Sequence, residues 1–568
     1  MEIFKQPKIF IFFSLVFLFL FARLAGAVGF ADVIDFNIET DFDPQGRSQA
    51  TAVLVKTSPK LYFFIEKFWW DSQLQTKREE VLTNLDELSS EFNDKIYPIL
   101  TSVFGSEWKP GVDGDERITL LFTPLNSNEG GYFRTADEYI KLQLPNSNER
   151  EMLYLSINLL GDQKLKAVLA HEFMHMITFN QKDKIFGVED EVWLNEARAD
   201  YSSTILGYSD TYSGSNLQSR ARDFVENPSD SITEWKGSKY DYASNSLFMH
   251  YLIDHYGITI LIDSLKSRYS GIESINYALD KAGYKEKFSE IFTDWTIAVV
   301  VNDCSLGFKY CYLNKNLNNF KLSPALNFLP LSGNVSLSVN NATKNWAGNW
   351  QKFIGGNGNF ELDFSSIAGL NFKVPYALED KNGKLSIELL ALDSQQKGKI
   401  TVAGFGDDYR SLIIFPSLQG KLSGFDGLEL TYPYSYLVTI KSEDSQDEKS
   451  LIQQLLDQIE YLTNQIAKLQ AQIIGGNGGQ NTCLQLNNNL YFGMSGRSDV
   501  RCLQEFLKNQ GPDIYPEGLV TGYFGNLTKS AVIRFQEKHA SEILTPLNLY
   551  SGTGFVGPST RAKINQLF

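Results

Sequence analysis

The residues His171-Glu172-Phe173-Met174-His175 constrain the fold of this chain more than any other segment. They lie in residues 164–179, a stretch whose composition is compatible with an α-helix. Positions four apart share one face of a helix, so both imidazoles can reach one ion. Imidazole nitrogens are typical zinc ligands, and a catalytic zinc site usually has three protein ligands. The HExxH pattern therefore predicts a helix that carries two of them.

A second segment, Trp193-Leu-Asn-Glu-Ala-Arg-Ala-Asp200, offers the third ligand. Glu196 and Asp200 are four residues apart and share a helix face. We predict that Glu196 completes the site and that Asp200 hydrogen-bonds a ligating imidazole. Glu172 is predicted to be the general base that takes a proton from a metal-activated water. A helix with two surface histidines and no metal is the competing interpretation.

These motifs resemble those of a known class of enzymes. HExxH followed about twenty residues later by NExxxD is similar to thermolysin and the other gluzincins. Ala170-His-Glu-Phe-Met-His-Met-Ile177 and Trp193-Leu-Asn-Glu196 look most like the hyicolysin family of bacterial metallopeptidases. The resemblance covers about residues 113–257 and implies one catalytic Zn²⁺ on His171, His175 and Glu196. The HExxHxxGxxH continuation of metzincins is absent, so a third histidine ligand is not indicated.

Peptide hydrolysis also requires a donor to the oxyanion that forms at the carbonyl. Several gluzincins place a tyrosine shortly before an apolar helix, and Tyr242 ahead of residues 246–252 resembles that arrangement. His250 is the alternative donor. Ordinary packing is the competing explanation for each of these side chains.

Two strand candidates, residues 117–123 and 152–157, precede the helix around His171 and indicate an α+β lobe. Residues 152–157 are a candidate edge strand for pairing with an extended peptide. Residues 130–133, in a polar connection, are a candidate border of the cleft that would hold this peptide. A purely structural role is the simpler interpretation of both segments.

The N-terminus predicts export. Lys5 and Lys8 precede an apolar run over residues 9–22, which the small residues Ala25-Gly-Ala27 follow. This is the pattern of a signal peptide cleaved near Ala27, and it predicts a secreted protein. An uncleaved N-terminal anchor is the alternative.

The four cysteines suit the oxidising compartment that an exported chain reaches. They form two local pairs, Cys304 with Cys311 and Cys483 with Cys502, which we predict to be disulfides. A zinc site built from all four thiolates is the competing interpretation. The pairs lie far apart in the chain and lack CxxC spacing, which disfavours that site.

Two segments between the cysteine pairs differ from the rest in pattern. Residues 322–440 contain short apolar stretches punctuated by Gly and Asn, which predicts a β-sandwich. A heptad seam then follows at Ile452, Leu455, Ile459, Leu462, Ile466, Leu469 and Ile473. Ile at a and Leu at d favour a parallel coiled-coil homodimer, but three heptads suit a single helical spacer equally well.

The C-terminal residues carry a second resemblance. Ser495-Gly-Arg-Ser-Asp-Val-Arg-Cys-Leu-Gln-Glu-Phe-Leu507, Gly522-Tyr-Phe-Gly-Asn-Leu-Thr-Lys-Ser-Ala-Val-Ile-Arg-Phe-Gln536 and Gly557-Pro-Ser-Thr-Arg561 look like the peptidoglycan-binding domain of bacterial cell-wall enzymes. The resemblance implies a small α-helical module and a cell-wall partner, with Arg501, Tyr523 and Arg534 as candidate binding residues. An interaction module without glycan affinity is the alternative.

A chain of 568 residues exceeds the size at which single cores stop growing, so several domains are expected. The net charge of -15 repels phosphate backbones and anionic lipid, which argues against nucleic acid or, after signal cleavage, a membrane as partner. We predict a multidomain chain with a signal peptide (1–27), an α+β zincin-like metallopeptidase domain (28–320), a β-sandwich (321–441), a heptad helix (442–474), a Gly-rich linker (475–481) and a peptidoglycan-binding-like domain (482–568).

Three functions fit these predictions. The first is a secreted zinc endopeptidase that cleaves proteins and is anchored to the cell wall by its C-terminal domain. The second is a murein peptide hydrolase with the same site. The third is a wall-bound adhesin or scaffold whose metal site has lost its activity, and the complete set of ligands and base at 171, 172, 175 and 196 disfavours it.

Overall fold

The computed structural model describes residues 32–127, 129–331, 334–425, 427–441, 458, 465, 485–494, 498–547 and 549–568. It divides into two compact units, Met1–Asp447 and Glu448–Phe568, which are described separately. The predicted signal peptide, the Gly-rich linker, Cys483 and all seven seam positions of the heptad helix lie outside the described residues. Within the described ranges no helix has the length and apolar character that crossing a membrane requires.

A six-stranded sheet opens the first unit. Its strands are β1 (Val33–Asn37), β2 (Gln49–Thr57), β3 (Leu61–Glu66), β4 (Ile118–Thr123), β5 (Gly131–Phe133) and β6 (Met152–Ser156). The order across the sheet is β1-β2-β3-β4-β6-β5. The central strands β3, β4 and β6 are parallel, and the outer pairs are antiparallel. Every residue of these three central strands is buried, because apolar side chains cover both faces of the sheet.

Helices surround this sheet. They are α1 (Lys67–Ser72), α2 (Gln75–Glu91), α3 (Tyr97–Phe104), α4 (Lys164–Thr178), α5 (Val192–Ile205), α6 (Asn216–Glu226), α7 (Lys239–Tyr256), α8 (Thr259–Leu265), α9 (Gly271–Ala282) and α10 (Phe288–Val301). Helix α4 matches the predicted helix 164–179, and β4 and β6 match the two predicted strands. The helix α2 buries Val81, Leu85 and Leu88 at three- and four-residue spacing in the main core. Wider π-helical turns, Phe92–Ile96 and Phe179–Lys184, extend α2 and α4.

A β-rich region completes the first unit. Its strands are β7 (Ala325–Leu329), β8 (Val335–Thr343), β9 (Gln351–Gly355), β10 (Gly358–Ser366), β11 (Phe372–Lys373), β12 (Pro375–Asp380), β13 (Leu385–Leu389), β14 (Lys397–Phe405), β15 (Tyr409–Ile414), β16 (Ser417–Leu418) and β17 (Tyr432–Lys441). Two sets, β13-β12-β15-β9-β7 and β14-β10-β17-β8, share one apolar core and are joined by the pair Phe405 and Tyr409.

The β-rich region is also fixed to the helices. The indole Nε1 of Trp350 donates to the carbonyl oxygen of Thr296 on α10 at 2.7 Å. The ring of Trp346 lies 5.0 Å from that of Phe288, and both tryptophans are buried in the core of the helical part. The first unit is therefore held together by aromatic packing between its helices and its strands.

The second unit is helical. Its helices are α11 (Ser498–Asn509), α12 (Asn526–Lys538), α13 (Ala540–Ile543) and α14 (Pro558–Leu567). They share an apolar core that includes Leu503, Phe535 and Ile564. A multidomain chain with a helical part, a sheet-rich part and a small helical C-terminal domain is thus confirmed. The exact domain boundaries and the sandwich classification remain predictions.

Candidate metal centre

Helices α4 and α5 bring three potential metal ligands together. His171 and His175 lie one turn apart on α4, and Glu196 faces them from α5. Glu196 Oε2 is 3.2 Å from His171 Nε2, and Glu196 Oε1 is 3.6 Å from His175 Nε2. The ligand atoms of the three residues all lie within 4.8 Å of one another. Two imidazole nitrogens and one carboxylate oxygen are a donor set that suits zinc.

The charges of these groups are strongly coupled. Burial would lower the pKa of His171, but the hydrogen bond to Glu196 and the charges of Glu172, Glu196 and Asp200 raise it to about 9. Burial would raise the pKa of Glu196, but the two imidazoles and Tyr242 lower it to about 2. The ligand atoms therefore lie in a negative environment, which attracts a cation.

Glu172 lies beside the ligands and is 6% exposed. Burial, followed by the negative charges of Glu196 and Glu129, raises the pKa of Glu172 to about 7. Its Cγ is 3.1 Å from the position that a Cβ on Gly131 would occupy, and such a Cβ would also lie 2.7 Å from the carbonyl oxygen of Tyr154. Only glycine fits at position 131, and its lack of a side chain makes room for the Glu172 carboxyl.

Asn195 is a residue of the site that the sequence did not reveal. Its Oδ1 lies 3.1 Å from Nδ1 of His175. When Nδ1 carries the proton and donates it to Asn195, Nε2 keeps its lone pair for a metal. The position next to Glu196 in the NExxxD pattern was the available signal, but the direction of the side chain depends on how α5 packs against α4.

Asp200 lies near the histidines but bonds elsewhere. Its Oδ1 accepts hydrogen bonds from Asn216 Nδ2 at 2.7 Å and from Arg220 Nη2 at 2.9 Å, both on α6. These donors, rather than an imidazole, are its hydrogen-bond partners within the described part of the chain. Asp200 was predicted to bond an imidazole, but the Arg220 guanidinium competes for its carboxylate. Asp200 acts on His171 through its charge.

Tyr242 reaches the site from α7. Its hydroxyl donates to Glu196 Oε2 at 3.0 Å. The ring packs against Trp235 at 4.7 Å and lies under the Arg220 guanidinium at 4.4 Å. Burial, aided by the negative charge of Glu196, raises the pKa of Tyr242 well above its usual value, so the hydroxyl keeps its proton. The α7 helix is held against α5 by Asn245, whose Nδ2 donates to Trp193 O at 2.7 Å.

His250, the alternative donor, faces a different part of the interior. Its ring nitrogens contact Asn314 Nδ2 at 3.2 Å and Thr204 Oγ1 at 3.4 Å. Burial lowers the pKa of His250 to about 4. The structure therefore brings Tyr242, and not His250, to the three potential ligands. His250 is packed in the interior, where burial favours the neutral form of its ring.

A cleft of about 1310 Å³ runs along the site. His171, His175, Glu196, Glu172 and Tyr242 all line it. The strand β5 and the preceding Gly130 line its sheet side. The predicted edge strand β6 is paired on both sides, with β4 and with β5. The edge beside the site is therefore β5, which is too short to have been recognised from sequence periodicity.

The disulfide predictions have different outcomes. Cys304 and Cys311 form the predicted disulfide, which closes a short loop after α10. Cys483 lies outside the described residues, so its pairing with Cys502 stays a prediction.

Comparisons with known proteins find two sequence similarities. Residues 496–542 match the family described as "Putative peptidoglycan binding domain". "Neutral metalloprotease ShpI" of Staphylococcus hyicus is 34% identical over 129 residues, which are 20% of this chain and 28% of that protein. The chain therefore matches little more than a quarter of the length of this relative.

The similarity of this chain to solved structures is weak. PliG, a periplasmic lysozyme inhibitor of g-type lysozyme from Aeromonas hydrophila, has a TM-score of 0.15 and 10% identity over 21% of this chain and 100% of its own. The pre-peptidase C-terminal domain of a collagenase from Bacillus anthracis has a TM-score of 0.14 and 8% identity over 20% of this chain and 96% of its own. Scores this low carry no argument about fold or function. The two sequence matches, however, confirm the predicted resemblances: the chain combines a region similar to a bacterial neutral metalloprotease with a C-terminal domain of the peptidoglycan-binding type.

Proposed function

We propose that this chain is a secreted zinc endopeptidase of the gluzincin type, tethered to the cell wall by its C-terminal domain. The observation that carries the proposal is the convergence of two imidazole nitrogens and a carboxylate within 4.8 Å, in a cleft that also contains the buried Glu172. The similarity to a neutral metalloprotease supports the same chemistry.

The metal would be held by His171, His175 and Glu196. Two histidines and one glutamate are the ligand set of thermolysin-type sites, which leave one position open for water or substrate. Bound zinc would supply Lewis-acid polarisation of the peptide carbonyl and would make water more acidic. Asn195 orients His175, and the charge of Asp200 favours a cation nearby.

Glu172 is the proposed general base. Burial raises the pKa of the Glu172 carboxyl, and a raised pKa suits a base that must take up and return a proton at neutral pH. Glu172 takes a proton from the attacking water and passes it to the leaving nitrogen. The Tyr242 hydroxyl, which stays protonated, donates a hydrogen bond to the oxyanion.

The edge of β5 that faces away from β6 is the proposed substrate-binding edge. It borders the cleft next to Glu172, and β6 occupies its other side. An extended peptide can add to such an edge through main-chain hydrogen bonds, which hold substrate backbones with little regard to sequence. The proposal that this part of the chain is zincin-like rests on this sheet edge and on α4, the helix that carries His171 and His175.

The match of residues 496–542 supports the wall as the place of action. It also favours a second candidate function, in which the wall peptide itself is the substrate. The metal chemistry is the same in both. The distinction lies in whether the cleft accepts ordinary proteins or the stem peptides of murein.

The proposal is tested by incubating the purified chain with a denatured soluble protein and, separately, with purified sacculi. Protein cleavage that a zinc chelator stops and added zinc restores supports the endopeptidase. Release of stem-peptide fragments alone supports the murein hydrolase. His171→Ala should lose zinc and activity, whereas His539→Ala, a histidine of the second unit, should keep both. Activity without metal would contradict both candidates.

A further inference from the structure

The second unit contains an internal repeat that includes three aromatic residues. An aromatic side chain begins each of the triplets 491–493, 523–525 and 555–557, which are spaced by 32 residues and end in glycine. Two glutamines with the same spacing anchor the later triplets. Gln504 Nε2 donates to Tyr523 O at 2.9 Å, and Gln536 Nε2 donates to Phe555 O at 2.8 Å. The second and third triplets therefore have the same local environment.

Backbone hydrogen bonds place the three segments side by side. Leu490 N donates to Val556 O at 3.2 Å, and Val556 N donates to Leu490 O at 2.8 Å. On the other side, Gly493 N donates to Phe524 O at 2.9 Å, and Phe524 N donates to Met494 O at 2.8 Å. The first segment thus lies between the other two.

The leading aromatic residue of each triplet is half-exposed. Tyr491 is 53%, Tyr523 48% and Phe555 41% exposed. The ring centroids of Tyr491 and Phe555 are 6.4 Å apart, with planes inclined by 32°. A Cβ at Gly525 or Gly557 would lie 3.1 or 2.8 Å from the ring two residues earlier. The glycines therefore let these rings lie close against the backbone.

We propose that Tyr491, Tyr523 and Phe555 form a stacking platform for the sugar rings of a peptidoglycan glycan strand. This inference rests on the proposed wall attachment and assigns it to specific residues. The C–H groups on the face of a pyranose carry partial positive charge and pack against the negative face of an aromatic ring. Exposed aromatic residues on neighbouring segments mark an interaction site, and the family match in residues 496–542, which includes Tyr523, points to peptidoglycan as the partner.

The platform differs from the binding residues that the sequence suggested. Tyr523 belongs to it, but Arg534 Nη1 donates to Ile514 O at 3.2 Å and has a structural role. The third aromatic residue, Phe555, lacks a hydroxyl. The shared feature is an aromatic ring, which favours sugar faces over the charged groups of stem peptides.

The test measures binding of the full chain to purified sacculi. Tyr491→Ala, Tyr523→Ala and Phe555→Ala should each weaken binding about three- to tenfold, and the triple variant should lose most of it. Tyr523→Phe keeps the ring and should bind normally. Tyr550→Ala is the matched control, because Tyr550 is fully exposed in the same unit but lies outside the triplets. Peptide-free glycan chains should compete with sacculi for the protein, and soluble stem peptides should not.

Normal sacculus binding by the folded triple variant would overturn the platform while leaving wall attachment intact. Competition by stem peptides and not by glycan chains would also overturn it, in favour of peptide recognition. Failure of the unmodified chain to bind sacculi would refute the wall attachment and the platform together. Cleavage of a soluble protein is measured alongside, so that the peptidase proposal is judged separately.

Discussion

Replacement of Asn195 by alanine should weaken zinc binding without removing a ligand. The Asn195 Oδ1 lies 3.1 Å from His175 Nδ1 and is positioned to fix the tautomer and the ring orientation. Loss of such an outer contact typically costs 10- to 100-fold in metal affinity, or about 1.4 to 2.8 kcal/mol. Asn195→Asp keeps an acceptor at the same place and should bind zinc about as well as the unmodified chain.

The assay is competition for zinc with a chromophoric chelator, and far-ultraviolet circular dichroism checks that both variants are folded. The expected result is a weaker affinity for Asn195→Ala and a preserved one for Asn195→Asp. Equal zinc affinity in the alanine variant and the unmodified chain would refute the orienting role. Equal losses in both variants would show that packing at this position, and not the acceptor, matters.

Three further outcomes are expected. Burial raises the pKa of the interacting carboxyls of Glu138 and Glu151 above the ordinary 4.5, so the folded state loses stability as pH rises above about 4.5. Glu151→Gln should flatten that loss in denaturant unfolding followed across this pH range, and an unchanged pH dependence would contradict the assignment. In zinc-saturated samples, Tyr242→Phe should lower kcat by about 10²- to 10³-fold, and a kcat equal to that of the unmodified chain would exclude it as oxyanion donor. Deletion of residues 482–568 should abolish sacculus binding and spare cleavage of a soluble protein, and retained sacculus binding would locate wall attachment elsewhere.

The juxtaposition of His171 and His175 was predictable because helical geometry alone places residues four apart on one face. Glu196 followed from the same argument applied to a second helix, together with the gluzincin resemblance. The same resemblance pointed to Tyr242 as an oxyanion donor, but its hydrogen bond to Glu196 was not predicted. For His171, His175 and Glu196, the position along one helix determined which way the side chain faces.

Contacts between elements distant in sequence were not predictable. Arg220 reaches Asp200 from α6, and no pattern in the sequence links the two helices. The edge strand β5 has three residues, too few for a periodicity. The carboxyls of Glu138 and Glu151 interact with each other and are both 2% exposed, whereas acidic side chains are ordinarily at the surface. These features depend on how the elements pack, which local patterns do not encode.

The Glu172→Gln variant is the most direct test of a zinc peptidase site with Glu172 as its general base. The amide has nearly the same size as the carboxyl but cannot accept the proton of the attacking water. Zinc content and cleavage of a soluble protein are measured on the same purified sample. If Glu172 is the general base, the variant should contain about one zinc ion per chain and lose at least about a thousandfold in activity. Full activity in a zinc-loaded Glu172→Gln sample would contradict it.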